Sequence, residues 1–265
     1  MSAIEAIILG IIQGLTEFLP VSSSGHIELG KAILNVHPAD PLLFSVVVHA
    51  ATALSTIVIF RKDITAIVRA AVVERDRESL QFGIFIIMSM IPAAFIGLFY
   101  NDIIEGLFDG NVFLVGSMLL LTGILLLVTD YAPSRNHKLT FANTLLVGLA
   151  QAIAILPGIS RSGATISTAV LLGINRTDAA RFSFLMVVPL ILGKMAKDLI
   201  DAKIDLTGEL LVPLTLGFLS AFFVGLLACQ WMIQLVKRSK LKYFAYYCFV
   251  VGLISIAYTL VSFES

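Results

Sequence analysis

Residues 13–26 read "QGLTEFLPVSSSGH", from Gln13 to His26. The stretch begins as an apolar helix, yet it also carries Thr16, Glu17, three consecutive serines (Ser22, Ser23, Ser24) and His26, with Pro20 at its middle. The surrounding chain makes this unusual. Of 265 residues, 58% are hydrophobic and 14% charged, where a soluble domain has about 25% charged. Mean hydropathy is +0.97. Runs such as "LLLTGILLLV" and "FAYYCFVVGLISIAYTLV" leave little surface to face water, so the composition is that of an integral membrane protein. The opening residues "MSAIEA" contain Glu5 and no Lys or Arg, unlike the basic start of a cleavable signal peptide. Cys229 and Cys248 lie inside apolar runs and read as small buried hydrophobes, with no disulfide or metal spacing. The zero net charge implies no nucleic acid or other polyanionic partner.

Working outward, a hydrocarbon core of about 30 Å takes about 20 helical residues. Segments near 42–60, 84–100, 112–131, 182–200, 211–235 and 243–262 are long enough. Two further apolar stretches, 3–19 and 141–156, each run into a proline (Pro20, Pro157), a Ser/Gly-rich turn and a second short helical stretch. Broken backbone at membrane depth is tolerated only where protein buries it or where it lines a wet cavity. Each pair therefore reads as a re-entrant hairpin of two half-helices. The loops at 61–81 and 236–242 are basic, as are 132–140 and 174–181 more weakly, whereas 101–111 holds Asp102, Glu105 and Asp109 alone. The loop around 199–210 sets Asp201, Asp205 and Glu209 against Lys203. By the positive-inside rule the basic set is cytoplasmic, so the first hairpin opens from outside and the second from inside.

That layout implies two halves of opposite orientation. A shift of 138 residues matches Gly10 with Gly148, Gln13 with Gln151, Ser22 with Ser160, Ser24 with Ser162, Gly25 with Gly163, and Phe44-Ser45 with Phe182-Ser183. Each half holds one hairpin and three spans, an odd number, so the halves are inverted. The expected architecture is an all-α integral membrane protein with six transmembrane helices and two re-entrant helical hairpins, in two inverted-topology repeats. It forms one membrane domain over 1–265, with repeat one at 1–132 and repeat two at 140–265.

The two tips carry the chemistry. "PVSSSGH" and "PGISRSGAT" both place serine at the start of a half-helix, where free N–H groups and a partial positive charge bind phosphate. Arg161 in the second tip suits bidentate phosphate contact, and at membrane depth it needs an anionic partner or a wet cavity. Either it clamps a substrate phosphate or it pairs with Glu17 across the tips. Gln13 lies one helical turn before Glu17 on the same face. Glu17 either holds a divalent cation, acts on a proton, or serves as a structural hydrogen-bond acceptor. A serine, His26 and a carboxylate beside one phosphate-binding end suit phosphoryl transfer; a plain helix cap is the competing reading of the same serines. His49, inside span 42–60, reads as a packing residue; His37 and His137 sit in loops; Lys194 and Lys197 reach toward the membrane surface.

At these residues the chain resembles the undecaprenyl-diphosphate phosphatase family of the bacitracin-resistance type. "QGLTEFLPVSSSGH" resembles its first signature and "LPGISRSGAT" its second, and length, hydropathy and duplicated layout match from end to end. The resemblance implies removal of the terminal phosphate from undecaprenyl diphosphate. The product is the monophosphate carrier reused in cell-wall synthesis, and bacitracin resistance follows. Carried over by position, Ser23 is the expected nucleophile, with His26 itself or a His26-activated water as alternatives. His26 is the acid and base, Glu17 a metal or proton partner, and Arg161 the diphosphate clamp. Ser22, Ser24, Ser160, Ser162 and Thr165 are expected phosphate contacts. The implied cofactor is a divalent cation, magnesium or calcium, at Glu17 and Gln13; glutamine at 13, where some members carry glutamate, removes one anionic ligand. The implied partners are a polyprenyl diphosphate lipid and the bilayer of the bacterial inner (plasma) membrane, with the active site facing the periplasm or exterior. The rival reading is an inverted-repeat transporter or flippase of undecaprenyl phosphate, since architecture alone suits a carrier.

Overall fold

The computed structural model describes residues 1–34, 36, 41–74, 76–107, 111–133, 135–201, 208–237 and 240–264. Among them every regular element is helical. α1 (Ala3–Thr16) starts at a capping box, in which Ser2 and Glu5 each bond the other's backbone N–H. It ends where Pro20 approaches, and Ser22 turns the chain at φ 70 into α2 (Ser23–Leu34). α8 (Phe141–Ile153) and α9 (Arg161–Leu171) repeat this plan, capped by Thr140 and Ser160 respectively, with Gly158 at φ 96 in the turn between them.

Four helices are long and apolar enough to cross a bilayer: α5 (Arg77–Phe99), α7 (Val112–Asp130), α11 (Gly208–Lys237) and α12 (Leu241–Glu264). A fifth candidate is the bent pair of α3 (Pro41–Ile59) with α4 (Arg61–Arg69) and a π-helical turn at 70–74, which together are long and apolar enough across a bend of 69°. The chain is a multi-pass membrane protein. The remaining expected span, 182–200, lies within α10 (Arg176–Asp201), which among the described residues is not one of the helices long and apolar enough to cross. Its middle is buried, with Phe182, Phe184, Leu185 and Met186 in the core.

Two stretches expected as loops are partly helical. Residues 61–74 continue as α4 and its π turn, because their apolar positions (Ile64, Ile67) fall on one face and pack on the core. Residues Asn101–Leu107 form α6. Outside the membrane segments, Asp76 caps α5: the Ser79 N–H on its carboxylate, at 2.9 Å, holds the carboxyl below its usual range. His37 lies outside the described residues, as do the side chains of Lys194 and Lys197.

Helix pairing follows small residues. α1 packs along α11, and α5 along α8; α7 pairs with α12, and α3 touches both α11 and α10. A Cβ at Gly14 would meet the Ala221 carbonyl at 2.7 Å, and one at Gly148 would meet that of Ser89 at 2.7 Å. These backbones therefore approach as small-residue membrane helices do. The Ser55 hydroxyl donates to the Phe222 carbonyl at 2.8 Å and ties α3 to α11.

α7 supports the second turn. The Thr122 hydroxyl donates to the Gly158 carbonyl and accepts from the Ser160 N–H, each at 3.1 Å. A Cβ at Gly158 would lie 2.5 Å from the Val115 carbonyl. Gly158→Ala therefore combines a disfavoured φ with a clash and should destabilise by at least about 1 kcal/mol. Gly97→Ala, in an open helical position, should stabilise by about 0.5–1 kcal/mol. Thermal unfolding of the two variants in one detergent checks both signs.

Candidate functional site

The two interrupted hairpins meet at their breaks. The Ser162 hydroxyl donates to the Leu19 carbonyl at 3.3 Å. A Cβ at Gly25 would lie 3.1 Å from Gly158 Cα, and one at Gly163 would lie 3.4 Å from Pro20 Cβ. The starts of α2 and α9 are therefore neighbours, and both present the positive end of a helix to one region. They are capped alike. Ser22 Oγ accepts the Gly25 N–H at 3.3 Å and Ser160 Oγ accepts the Gly163 N–H at 3.1 Å. Ser24 Oγ lies 3.4 Å from Ser22 Oγ, as Ser162 Oγ lies 3.3 Å from Ser160 Oγ.

Glu17 is the centre of the arrangement. It follows the last turn of α1, where its N–H still bonds the Gln13 carbonyl, and its side chain is 4% exposed. One carboxylate oxygen, Oε1, receives the Arg161 guanidinium. The other, Oε2, accepts the Ser23 hydroxyl at 2.6 Å and the Gln13 amide at 2.9 Å. His49 Nε2, from α3, stands 3.9 Å from the same oxygen. His49 Nδ1 lies 2.8 Å from the Ser45 carbonyl, which fixes its ring. A carboxylate at membrane depth thus has donors on both oxygens, as burial requires.

Of the residues singled out in the sequence, Gln13, Glu17, Ser23 and Arg161 come together in one hydrogen-bonded cluster. His26 does not join Ser23. Its Nδ1 lies 2.8 Å from the Ser22 carbonyl and its Nε2 2.8 Å from the hydroxyl of Tyr247, on α12. Ser160 and Thr165 are buried in the packing: Thr165 donates to the Arg161 carbonyl at 2.8 Å and sits 2.6 Å from Ser183 Oγ. His137 bonds the Leu172 carbonyl, at the end of α9.

Two members of the site had no signal in the sequence. His49 has no reactive neighbour along the chain and meets Glu17 only through the packing of α3. Tyr247 stands inside the apolar run "FAYYCFVVGLISIAYTLV", beside Tyr246.

Among the described residues no group of three or more His, Cys, Asp or Glu could hold a metal ion. What the site offers is one carboxylate and the Gln13 Oε1 oxygen, which is fully buried and has no hydrogen-bond partner. Such an oxygen-only donor set fits a hard divalent cation that takes its other ligands from phosphate and water. Beside it, Glu17, Thr52, Thr56, Arg161, Ser162 and Ser183 line a void of about 10 Å³, about the space of one water.

Removing the cation from this pair strands a buried carboxylate. Arg161→Met should destabilise the protein by about 3–5 kcal/mol, and adding Glu17→Gln should recover much of that loss. A double-mutant cycle of unfolding free energies reads the coupling, and additive losses would mean the pair contributes nothing.

The sequence comparisons give the family. Residues 6–254 match the family described as bacitracin resistance protein BacA. A protein of Christiangramia forsetii named undecaprenyl-diphosphatase is 56% identical over 260 residues, covering 97% of this chain and 98% of that one. Proteins with the same name from Parabacteroides distasonis and Methanococcus vannielii are 45% and 38% identical, over 98% and 96% of this chain and 99% of each relative. With both helix breaks inside the matched region, the chain belongs to the BacA bacitracin-resistance family.

Proposed function

We propose that this protein is an undecaprenyl-diphosphate phosphatase: it hydrolyses the terminal phosphoanhydride bond of the lipid diphosphate, releasing undecaprenyl phosphate and inorganic phosphate. Relatives that bear this name align over nearly the whole chain. The observation that carries the reading is the contact set on Glu17, which joins a serine hydroxyl from one hairpin to an arginine from the other.

The mechanism follows from that set. Arg161 has five N–H donors and spends few of them on Glu17, so the rest serve the diphosphate, alongside the N–H groups that open α2 and α9. Ser22, Ser24 and Ser162 add hydroxyls at those helix starts. Ser23 Oγ attacks the terminal phosphorus, and its proton passes to Glu17 Oε2, which it already contacts. The Oγ–P bond forms as the bond from phosphorus to the bridging oxygen breaks, and the lipid monophosphate leaves. In the second step a water attacks the phosphoserine, and the proton held on Glu17 returns to Ser23 Oγ as the Oγ–P bond breaks. His26 Nε2 orients that water, takes its proton and gives it up to the departing phosphate. A magnesium or calcium ion held by Glu17 and Gln13 Oε1 would neutralise phosphate charge as it shifts. A carrier has no use for a serine hydroxyl bonded to a buried carboxylate, so hydrolysis is the better reading.

The same proposal takes the fold as two inverted repeats, 1–132 and 140–265, in one domain, with six spans and two re-entrant hairpins. Helix pairing supports it. Exchanging the halves turns the α1–α11 pair into α8–α5, while α7–α12 and α3–α10 map onto themselves. The site then faces the periplasm or exterior of the plasma membrane, the side of the acidic 101–111 segment.

Detergent-purified protein should release phosphate from a short-chain prenyl diphosphate with magnesium or calcium and lose that activity with a chelator. Ser23→Ala should lower kcat by about 1000-fold or more, His26→Ala and Arg161→Ala by about a hundredfold or more. Full activity in Ser23→Ala would remove the serine route. For orientation, Ile103→Cys is the probe, since Ile103 is exposed and the native cysteines are buried. A membrane-impermeant maleimide should label it from outside intact cells; labelling only from the cytoplasmic side would reverse the topology.

A further inference from the structure

The His26 ring is held from both of its nitrogens. The Ser22 carbonyl at 2.8 Å from Nδ1 can only accept, so Nδ1 carries the hydrogen and Nε2 presents its lone pair. That lone pair meets the Tyr247 hydroxyl at 2.8 Å, and the two rings stack with centroids 5.5 Å apart and planes 14° from parallel. Tyr247 lies 221 residues further along the chain and is half-exposed. The contact is therefore not a helix cap or a local turn. Nor is it a device shared by the two repeats, because the position matching His26 at a shift of 138 residues is Ala164. An exposed tyrosine has water and lipid headgroups available as partners, and here its hydroxyl instead sits on the only basic nitrogen of the histidine.

We propose that Tyr247 is a positioning residue for the phosphatase reaction. With the Ser22 carbonyl fixing the Nδ1–H tautomer, the Tyr247 hydroxyl donates to Nε2 and holds its direction, then gives up that nitrogen when the diphosphate and its attacking water arrive. Ring stacking alone would hold the plane of the imidazole but give Nε2 no donor. The inference rests on the phosphatase reading, with His26 as the proton carrier.

Tyr247→Phe separates the hydroxyl from the stack. In detergent-purified protein with a short-chain prenyl diphosphate, the variant should lose about fivefold in kcat, the worth of one neutral hydrogen bond, with KM within twofold of the parent. Tyr246→Phe, its neighbour on the helix, should leave both constants unchanged. A second readout is the ¹⁵N spectrum of histidine-labelled protein, which has four histidines to assign. The His26 Nε2 resonance should move toward that of a free imidazole nitrogen in Tyr247→Phe and stay in place in Tyr246→Phe. Tyr247→Phe with kcat within twofold of the parent, or with an unmoved His26 resonance, would overturn the proposal. A parent protein that binds but never hydrolyses the prenyl diphosphate would instead overturn the phosphatase reading, and the resonance would still report the contact.

Discussion

A carboxylate at the end of α1 and a guanidinium at the start of α9 set the terms for this fold. A buried Glu17 cannot stay ionised without donors, and Arg161 cannot stay there without an anion. Each belongs to a different hairpin, 144 residues apart in sequence, and they meet directly. The contact fixes how the two breaks sit relative to each other. It also decides where Ser23 points, because the serine hydroxyl donates to the carboxylate oxygen that the arginine leaves free. The Ser162–Leu19 hydrogen bond and the close approach of Gly25 to Gly158 hold the two helix starts together beside it.

The backbone around the pair is arranged to make that convergence cheap. Ser22 and Ser160 cap the two half-helices, and Thr122 of α7 satisfies both a carbonyl and an N–H of the second turn. Unwound residues at membrane depth therefore keep their hydrogen bonds. Glycines where α1 meets α11 and where α8 meets α5 let the supporting helices close up behind the tips. The void beside Glu17 is about 10 Å³, about the space of one water.

The halves share a layout and divide the chemistry. At a shift of 138 residues Glu17 corresponds to Ile155, Ser23 to Arg161, His26 to Ala164 and His49 to Val187. The first half holds the carboxylate, the serine and the histidines, and the second holds the arginine. Neither tip is complete alone, which gives a physical reason for both breaks to be kept facing each other.

Much of this was legible in the sequence because it is local. Proline followed by serine and glycine interrupts a helix and caps the next one through contacts three residues apart, so both breaks and both caps could be placed from composition and spacing. The apolar runs likewise announced four of the six expected spans, although charge obscured α4 and α6, which are short helices rather than loops. Glu17 and Arg161 stood out because an ionised side chain in such surroundings needs a partner; that they were partners of each other remained one of two readings. His49 and Tyr247 were illegible. Their contacts with Glu17 and His26 depend on how α3 and α12 pack against distant helices, and neither residue has a reactive neighbour along the chain. Local hydrogen bonding and hydropathy are written in adjacent residues, so the sequence by itself determined where the helices break and which groups stand at the breaks. Which of those groups touch depends on the close approach of small-residue helix faces far apart in the chain, and only the tertiary structure decided it.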